Sequence, residues 1–227
     1  MFFDVGETLV HPEPSFPELF AKVVRDAGHH IEAAQVEDAV GSVTRRMDAA
    51  ARDGKAWSTS PERSREFWFA IYASFLQALS IPDSELLRAG LYETFSDPAN
   101  YSLFPDALPA IESLDAAGFS MGVISNFEAW LDGLLDGLAV GEYLPVRAIS
   151  GLEGVEKPDA ALFEVALERA GLAPGDCAYV GDNPLSDMEP AAALGMFPVL
   201  IDRNGRHPGS PHARIASLTQ LPEVLGR

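Results

Sequence analysis

Apolar positions recur at helical spacing between residues 14 and 100. Leu19, Phe20, Val23 and Val24 are spaced as on one face of a helix. Two further stripes have the same period: Val36, Val40, Val43 and Met47, and Phe67, Trp68, Ile71, Tyr72, Phe75, Leu76 and Leu79. A fourth helix is predicted from near Pro82 to just before Asp97. Stripes this regular are typical of packing between helices rather than of an aromatic ligand box, so the segment is predicted to be a four-helix unit.

From about residue 104 the pattern changes to short apolar runs that alternate with helical stripes. The runs are Phe119–Ile124, Cys177–Val180 and Phe197–Ile201, the last being the final predicted strand. A weak strand is predicted at Val146–Ile149, and another strand runs into Asp4 at the start of the chain. Strands that alternate with helices of about ten residues indicate βαβ units and a parallel sheet. We therefore predict an α/β fold, a Rossmann-like parallel sheet with helices on both faces at 1–13 and 101–227, with a four-helix cap inserted at 14–100.

The chain is acidic, with a formal net charge of −18 over 227 residues and a pI near 4.5. Contact with nucleic acid or an anionic membrane requires clusters of Lys and Arg, so neither partner is predicted. The acidity favours solubility, but it has a consequence for anionic substrates. A protein this acidic needs a local cation to bind one.

Cys177 is the only cysteine, so an intrachain disulfide is excluded and a reducing compartment is expected. It lies in an apolar run, which favours a core position over a nucleophilic thiol. Asp4 and Glu7 interrupt the N-terminal apolar run, so no signal peptide is predicted. No run reaches the length of a transmembrane helix. We expect a cytoplasmic protein, and its oligomeric state is left open.

Polar residues lie at four predicted strand ends or in the loops that follow them. They are Asp4, Ser125 with Asn126, Lys157, and Asp182 with Asp187. Each alone could have a structural role, because Asp, Ser and Asn are favoured helix N-caps and acidic residues are favoured in a first helical turn. Parallel strands place their carboxyl ends at one edge of the sheet, where α/β proteins bind ligands. The set is therefore predicted to form one site.

The chemistry available to this set is phosphoryl transfer. The carboxylates of Asp4, Asp182 and Asp187 gather negative charge that Mg²⁺, a cation that prefers oxygen ligands, would offset. Lys157 supplies a point charge for a phosphoryl group, and Ser125 with nearby backbone N–H groups can bind phosphate oxygens. An aspartate that attacks phosphorus forms an aspartyl-phosphate.

Four segments carry a resemblance to a known family: FFDVGETL, VISNF, GVEKPD followed by ALF, and YVGDNPLSDMEPAAALGM. In this order they resemble the haloacid dehalogenase superfamily of hydrolases, subfamily I, with a helical cap between the first two motifs. The resemblance implies Asp4 as nucleophile, Ser125 and Asn126 as phosphate ligands and Lys157 as a catalytic cation. It also implies Mg²⁺ held by Asp4, the Gly6 carbonyl, Asp182 and Asp187, and a small phosphorylated substrate.

Gly6 is where the chain departs from the pattern. Phosphatases of this superfamily usually carry a second aspartate there, which protonates the leaving group and then activates water. General acid–base catalysis contributes roughly 10²- to 10⁴-fold, so a slow phosphatase is predicted. Glu7 is a candidate substitute, with solvent exposure as its alternative. Two other functions stay open: a metal-independent 2-haloacid dehalogenase-type hydrolase and a non-catalytic protein that binds a phosphorylated ligand.

The cap sequence also holds a group of cations, which could anchor a substrate anion or solvate a helix face. The members of this group are Arg45, Arg46, Arg52 and Lys55.

Overall fold

A computed structural model describes residues 1–52 and 56–226, without the side chains of residues 42 and 45–52. The side chains of Met47 and of the four cap cations, Arg45, Arg46, Arg52 and Lys55, therefore lie outside the described part of the chain. Strands in the described residues are β1 Phe2–Phe3, β2 Val10–Pro12, β3 Tyr101–Leu103, β4 Gly122–Ser125, β5 Val146–Ile149, β6 Ala178–Gly181, β7 Phe197–Ile201 and β8 Ala213–Ile215.

The α-helices of the same residues alternate with the later strands and fill the segment between β2 and β3. They are α1 Phe16–Asp26, α2 Ala33–Arg52, α3 Pro61–Ala78, α4 Glu85–Phe95, α5 Ala107–Ala116, α6 Leu131–Gly137, α7 Ser150–Glu153, α8 Ala160–Ala170, α9 Glu189–Leu194 and α10 Leu221–Val224. A π-helical turn, Pro184–Met188, precedes α9.

A six-stranded parallel sheet forms the larger unit, in the order β5-β4-β1-β6-β7-β8. Register places Phe2 beside Tyr179, and both belong to a buried cluster with residues of α8 and α9. On the opposite face Phe3, Val123 and Val180 are also fully buried. The predicted α/β fold with a Rossmann-like parallel sheet is confirmed. Cys177 is buried in the first cluster, as the sequence indicated.

The helices α1 to α4 form the second unit around their own apolar core, to which all three stripes contribute. Three of these helices begin after a serine whose side chain accepts a hydrogen bond from the first turn: Ser15, Ser60 and Ser84. This satisfies backbone N–H groups that a helix start leaves without partners. The fourth helix starts at Glu85, slightly later than predicted, because Ser84 is its cap.

The chain divides into two compact units, Met1–Val10 with Leu103–Arg227, and His11–Ser102. The predicted boundaries, 13 and 101, lie close to these. In the described part of the chain no helix is both long and apolar enough to cross a membrane.

One sequence prediction is wrong: Phe197–Ile201 is not the last strand. The chain adds β8, which pairs in parallel with β7 at the edge of the sheet. Of its three residues only Ile215 is buried, while Arg214 is exposed. A run this short, with one apolar residue facing the core, has no detectable period.

Candidate active site

Asp4 follows β1 directly and receives two hydrogen bonds at one oxygen. Ser125, the last residue of the neighbouring strand β4, donates from Oγ to Asp4 Oδ1 over 2.8 Å. Lys157 donates from Nζ to the same oxygen over 2.8 Å. The backbone N–H of Asp4 donates to the Val180 carbonyl, so the residue is fixed to the strand on its other side as well. The Asp4 carboxylate therefore has a defined position at the carboxyl edge of the sheet.

The Lys157 ammonium lies at the centre of the site. Besides Asp4 it donates to Asp187 Oδ1 over 2.6 Å and to the Tyr179 hydroxyl over 2.9 Å. An ammonium has three N–H donors, and each has an acceptor here. The side chain is only 3% exposed. Burial opposes its charge, but the carboxylates of Asp187 and Asp4 outweigh that effect and raise the pKa of Lys157, which stays protonated.

Tyr179 was missed by the sequence reasoning. Its hydroxyl donates to the Ile124 carbonyl over 2.8 Å and accepts a hydrogen bond from Lys157. Burial and the charges of Asp187 and Asp4 raise its pKa, so the phenol stays neutral. The side chain connects β6 to β4 beneath the site. In the sequence, a tyrosine within an apolar strand indicates only core packing. The contact between its hydroxyl and Lys157 can be recognised only when the order of the strands is known.

Asp187 is buried and held at both oxygens. Oδ1 accepts from Lys157, and Oδ2 accepts from the backbone N–H of Asn183 over 2.9 Å. Gly181 is needed for this arrangement, because a Cβ at that position would lie 2.5 Å from Asp187 Oδ2. The absence of a side chain at Gly181 therefore lets the Asp187 side chain pack against the end of β6.

Asp4, Asp182 and Asp187 each offer a carboxylate oxygen, and these three oxygens all lie within 4.8 Å of one another. The three negative carboxylates and the one positive ammonium of Lys157 give the cluster a formal charge of −2. Burial and the charges of Asp187 and Asp4 raise the pKa of Asp182 well above its usual range. The donor set fits a hard divalent cation, since such an ion takes oxygen ligands and would offset this charge.

The side chain of Asn126 contacts the backbone of Lys157. Its Oδ1 accepts the Lys157 backbone N–H over 2.7 Å, and its Nδ2 donates to the Lys157 carbonyl over 2.8 Å. This double contact ties the loop after β4 to the backbone of Lys157. The side chain thus positions Lys157, and a phosphate contact from Asn126 stays a prediction.

The next residue, Phe127, is also fixed through its backbone. The Phe127 N–H donates to Ser150 Oγ over 2.9 Å, and Ser150 Oγ donates back to the Phe127 carbonyl over 3.1 Å. The Gly151 N–H donates to the same carbonyl over 2.9 Å. Ser150 is fully buried, and neither it nor Phe127 was identified as part of the site from sequence.

Gly6 and Glu7 form the turn that follows Asp4. Gly6 has an ordinary backbone conformation, and a Cβ there would have only a normal contact, 3.7 Å from Phe127 Cε2. Glu7 adopts a left-handed backbone with φ of 56° and is exposed. Its carboxylate nevertheless contributes to the raised pKa of Asp182. The turn therefore accepts a Cβ at position 6 without a clash.

The chain is similar to known proteins over most of its length. A family model described as haloacid dehalogenase-like hydrolase matches residues 1–195. Haloacid dehalogenase-like hydrolase domain-containing protein 3 of Danio rerio is 29% identical over 233 residues, covering 99% of this chain and 95% of that protein.

Two further similarities are to enzymes whose names describe different chemistries. A phosphoserine phosphatase of Thermus thermophilus is 33% identical over 120 residues, 52% of this chain and 48% of that enzyme. The crystal structure of a 2-haloacid dehalogenase from Pseudomonas syringae pv. Tomato DC3000 superposes with a TM-score of 0.61 at 25% identity, covering 100% of this chain and 97% of that one.

Proposed function

The chain belongs to the haloacid dehalogenase-like hydrolase family, and on this premise we propose that it is a Mg²⁺-dependent phosphomonoesterase that forms an aspartyl-phosphate. The observation that carries the proposal is the Lys157 ammonium, which contacts both Asp4 and Asp187 in a cluster that includes Asp182. A nucleophilic carboxylate, a fixed cation and a concentration of oxygen ligands are the three requirements of phosphoryl transfer to an aspartate.

Mg²⁺ would be held by Asp4, Asp182, Asp187 and the backbone carbonyl of Gly6. When bound, it offsets the charge of the carboxylates and of the incoming phosphoryl group. One oxygen of Asp187 accepts a hydrogen bond from Lys157, and the other accepts one from the Asn183 N–H. Its main contribution is therefore to hold Lys157 and the 183–188 turn in place, beside any contact with the ion.

Asp4 is the nucleophile in this proposal. Its carboxylate oxygen forms a bond to phosphorus while the bond from phosphorus to the leaving-group oxygen breaks, and that oxygen keeps the electron pair. Ser125 Oγ and Lys157 Nζ both donate to Asp4 Oδ1, which orients the carboxylate and places donors next to the phosphoryl oxygens. Water then attacks phosphorus, releases inorganic phosphate and returns Asp4 to its carboxylate form.

The substrate is proposed to be a small phosphorylated molecule, and turnover is proposed to be slow. The similarity to a phosphoserine phosphatase supports a phosphate ester as the substrate. Gly6 supplies no proton to the leaving group and no base to the water. A missing acid–base residue lowers rates by roughly 10²- to 10⁴-fold.

A 2-haloacid dehalogenase-type reaction is the second candidate, in which Asp4 attacks carbon without a metal. Gly6 favours it, because halide leaves without a proton, and so does the similarity to the Pseudomonas syringae enzyme. Asp182 favours the phosphatase, because Asp187 holds Lys157 in either reaction, whereas a metal-free displacement has no use for the further carboxylate of Asp182 beside Asp4. A third candidate, a protein that binds a phosphorylated ligand without turnover, shares all of these contacts.

The three candidates separate in one set of assays. The proposed enzyme hydrolyses p-nitrophenyl phosphate with Mg²⁺ and stops when the metal is chelated or when Asp4→Asn is introduced. Halide release from a 2-haloacid without metal would instead identify the dehalogenase. Stabilisation by Mg²⁺ and inorganic phosphate, with no turnover of any phosphate ester, would identify the binding protein.

A further inference from the structure

An aromatic ring lies beside the position where the second aspartate is missing. A methyl group placed on Gly6 would lie 3.7 Å from Cε2 of Phe127. The ring of Phe127 packs edge to face against Trp130, with ring centroids 4.8 Å apart and an interplanar angle of 81°. Phe127 is half-buried, so part of its surface stays accessible. The gap left by Gly6 therefore has an apolar wall.

The position of that wall is set by the backbone contacts of Phe127. Its N–H and carbonyl both bond to the buried Ser150 Oγ, and the carbonyl also accepts from Gly151. A Cβ on Gly151 would lie 2.8 Å from the Phe127 carbonyl oxygen, so this close approach depends on glycine there. Three hydrogen bonds from residues that follow a neighbouring strand hold the backbone of Phe127 in one place, and the contact with Trp130 packs against one side of its ring. A specificity contact requires a side chain supported in this way.

We propose that Gly6 and Phe127 select aryl phosphates, that is, phosphate monoesters of phenol-type hydroxyl groups. This inference rests on the proposed function. Without an acid at residue 6, the leaving-group oxygen departs as an anion that keeps the electron pair of the broken bond. An apolar wall cannot solvate a localised charge, so it favours a leaving group that delocalises the charge over a planar π system. Such a group can also pack against the Phe127 ring.

Three substrates separate the two parts of the inference. p-Nitrophenyl phosphate has both a ring and an acidic leaving group, benzyl phosphate has a ring but a poor leaving group, and acetyl phosphate has a good leaving group without a ring. The quantity to compare is kcat/KM, because it reports the step in which the leaving group departs, even if hydrolysis of the phosphoenzyme limits kcat.

The Gly6 part predicts that the native enzyme prefers p-nitrophenyl over benzyl phosphate by at least about 100-fold, and that Gly6→Asp reduces this preference by at least about tenfold. Gly6→Asn is the matched variant, which fills the same space without a proton to give and keeps the native preference. A native preference below about 100-fold would overturn this part, because another group would then donate the proton. An unchanged preference in a folded Gly6→Asp protein would overturn it too.

The Phe127 part predicts that Phe127→Leu lowers the ratio of kcat/KM for p-nitrophenyl phosphate to that for acetyl phosphate by about tenfold. Phe197→Leu is the control. Phe197 is an exposed aromatic residue at the start of β7, away from the carboxyl ends of the strands where the site lies, so its replacement leaves the ratio unchanged. An equal ratio in Phe127→Leu and native protein would overturn this part. If none of the three phosphates is hydrolysed, the proposed function itself fails, and this inference falls with it.

Discussion

Lys157 Nζ lies 2.8 Å from Asp4 Oδ1, although 153 positions separate the two residues in the chain. The ammonium is buried with its partners, and it also donates to Asp187 Oδ1 over 2.6 Å. Lys157 thus has two functions. It fixes the carboxylate of Asp4, the proposed nucleophile, and it offsets the repulsion between the buried carboxylates of Asp4 and Asp187.

Replacing Lys157 tests both functions. We expect Lys157→Met to abolish turnover and to lower the free energy of unfolding by about 3–5 kcal/mol, because it leaves buried carboxylates without their partner. Urea denaturation measures the stability. The control is Lys22→Met, which removes an exposed ion pair with Asp26 and should change stability by less than about 1 kcal/mol. Equal effects of the two variants would contradict a central role for Lys157.

Tyr179→Phe tests the residue that the sequence reasoning missed. The variant leaves one N–H of Lys157 and the Ile124 carbonyl without the Tyr179 hydroxyl. We expect a loss of about 1–3 kcal/mol in unfolding free energy, the usual effect of leaving a buried polar group unsatisfied, and a lower kcat. Tyr143→Phe, at a position that no hydrogen bond of the site involves, should change neither quantity. A Tyr179→Phe protein as stable as the native one would show that water replaces the hydroxyl.

Mg²⁺ should stabilise the fold through the carboxylate cluster. At a concentration of 100 times its Kd, a ligand of the folded state adds about 2.7 kcal/mol, which thermal unfolding detects as a higher Tm. Asp182→Asn should remove most of this increase, whereas Asp176→Asn, an exposed residue just before β6, should preserve it. The same Mg²⁺ response in both variants would place the ion elsewhere.

Asp106 should make stability sensitive to acid. Burial raises the pKa of Asp106, but hydrogen bonds from the Arg203 guanidinium, the Leu218 N–H and the Ser217 hydroxyl lower it by more. The net pKa of Asp106 therefore lies below its usual value. A carboxyl with a depressed folded-state pKa stabilises the fold above its unfolded pKa of about 3.9 and loses that contribution as pH falls through the folded value.

The measurement for Asp106 compares native protein with Asp106→Asn. We expect the variant to be less stable at neutral pH by about 1–3 kcal/mol and to lose less stability between pH 5 and pH 2 (about the range in which such a carboxyl titrates). Urea denaturation at several pH values determines this. Parallel pH profiles for the two proteins would show that Asp106 does not carry the effect.

The sequence predicted the fold and the residues at the strand ends well, for a physical reason. Runs such as Phe197–Ile201 contain only apolar residues, and parallel strands bring Asp4, Ser125, Lys157 and Asp187 to one edge whatever the details of packing. Strand β8 was missed because a three-residue edge strand with one buried residue carries too little pattern.

The contacts within the site could not be predicted in the same way. Asn126 supports the backbone of Lys157, and Tyr179 accepts from its ammonium, because strand order and register bring them there. Phe127 lies beside Gly6 through its bonds to Ser150, a residue 23 positions away. Such relationships depend on three-dimensional neighbours that no local period encodes.

The central claim is that Asp4 becomes phosphorylated, and rapid quenching with acid followed by mass spectrometry of peptides tests it directly. With p-nitrophenyl phosphate and Mg²⁺, we expect a phosphoryl group on Asp4 that accumulates toward one per chain, because Gly6 provides no base to speed its hydrolysis. Asp4→Asn should show none. Turnover of the ester without any phosphorylated Asp4, or a phosphoryl group that persists in Asp4→Asn, would contradict the account.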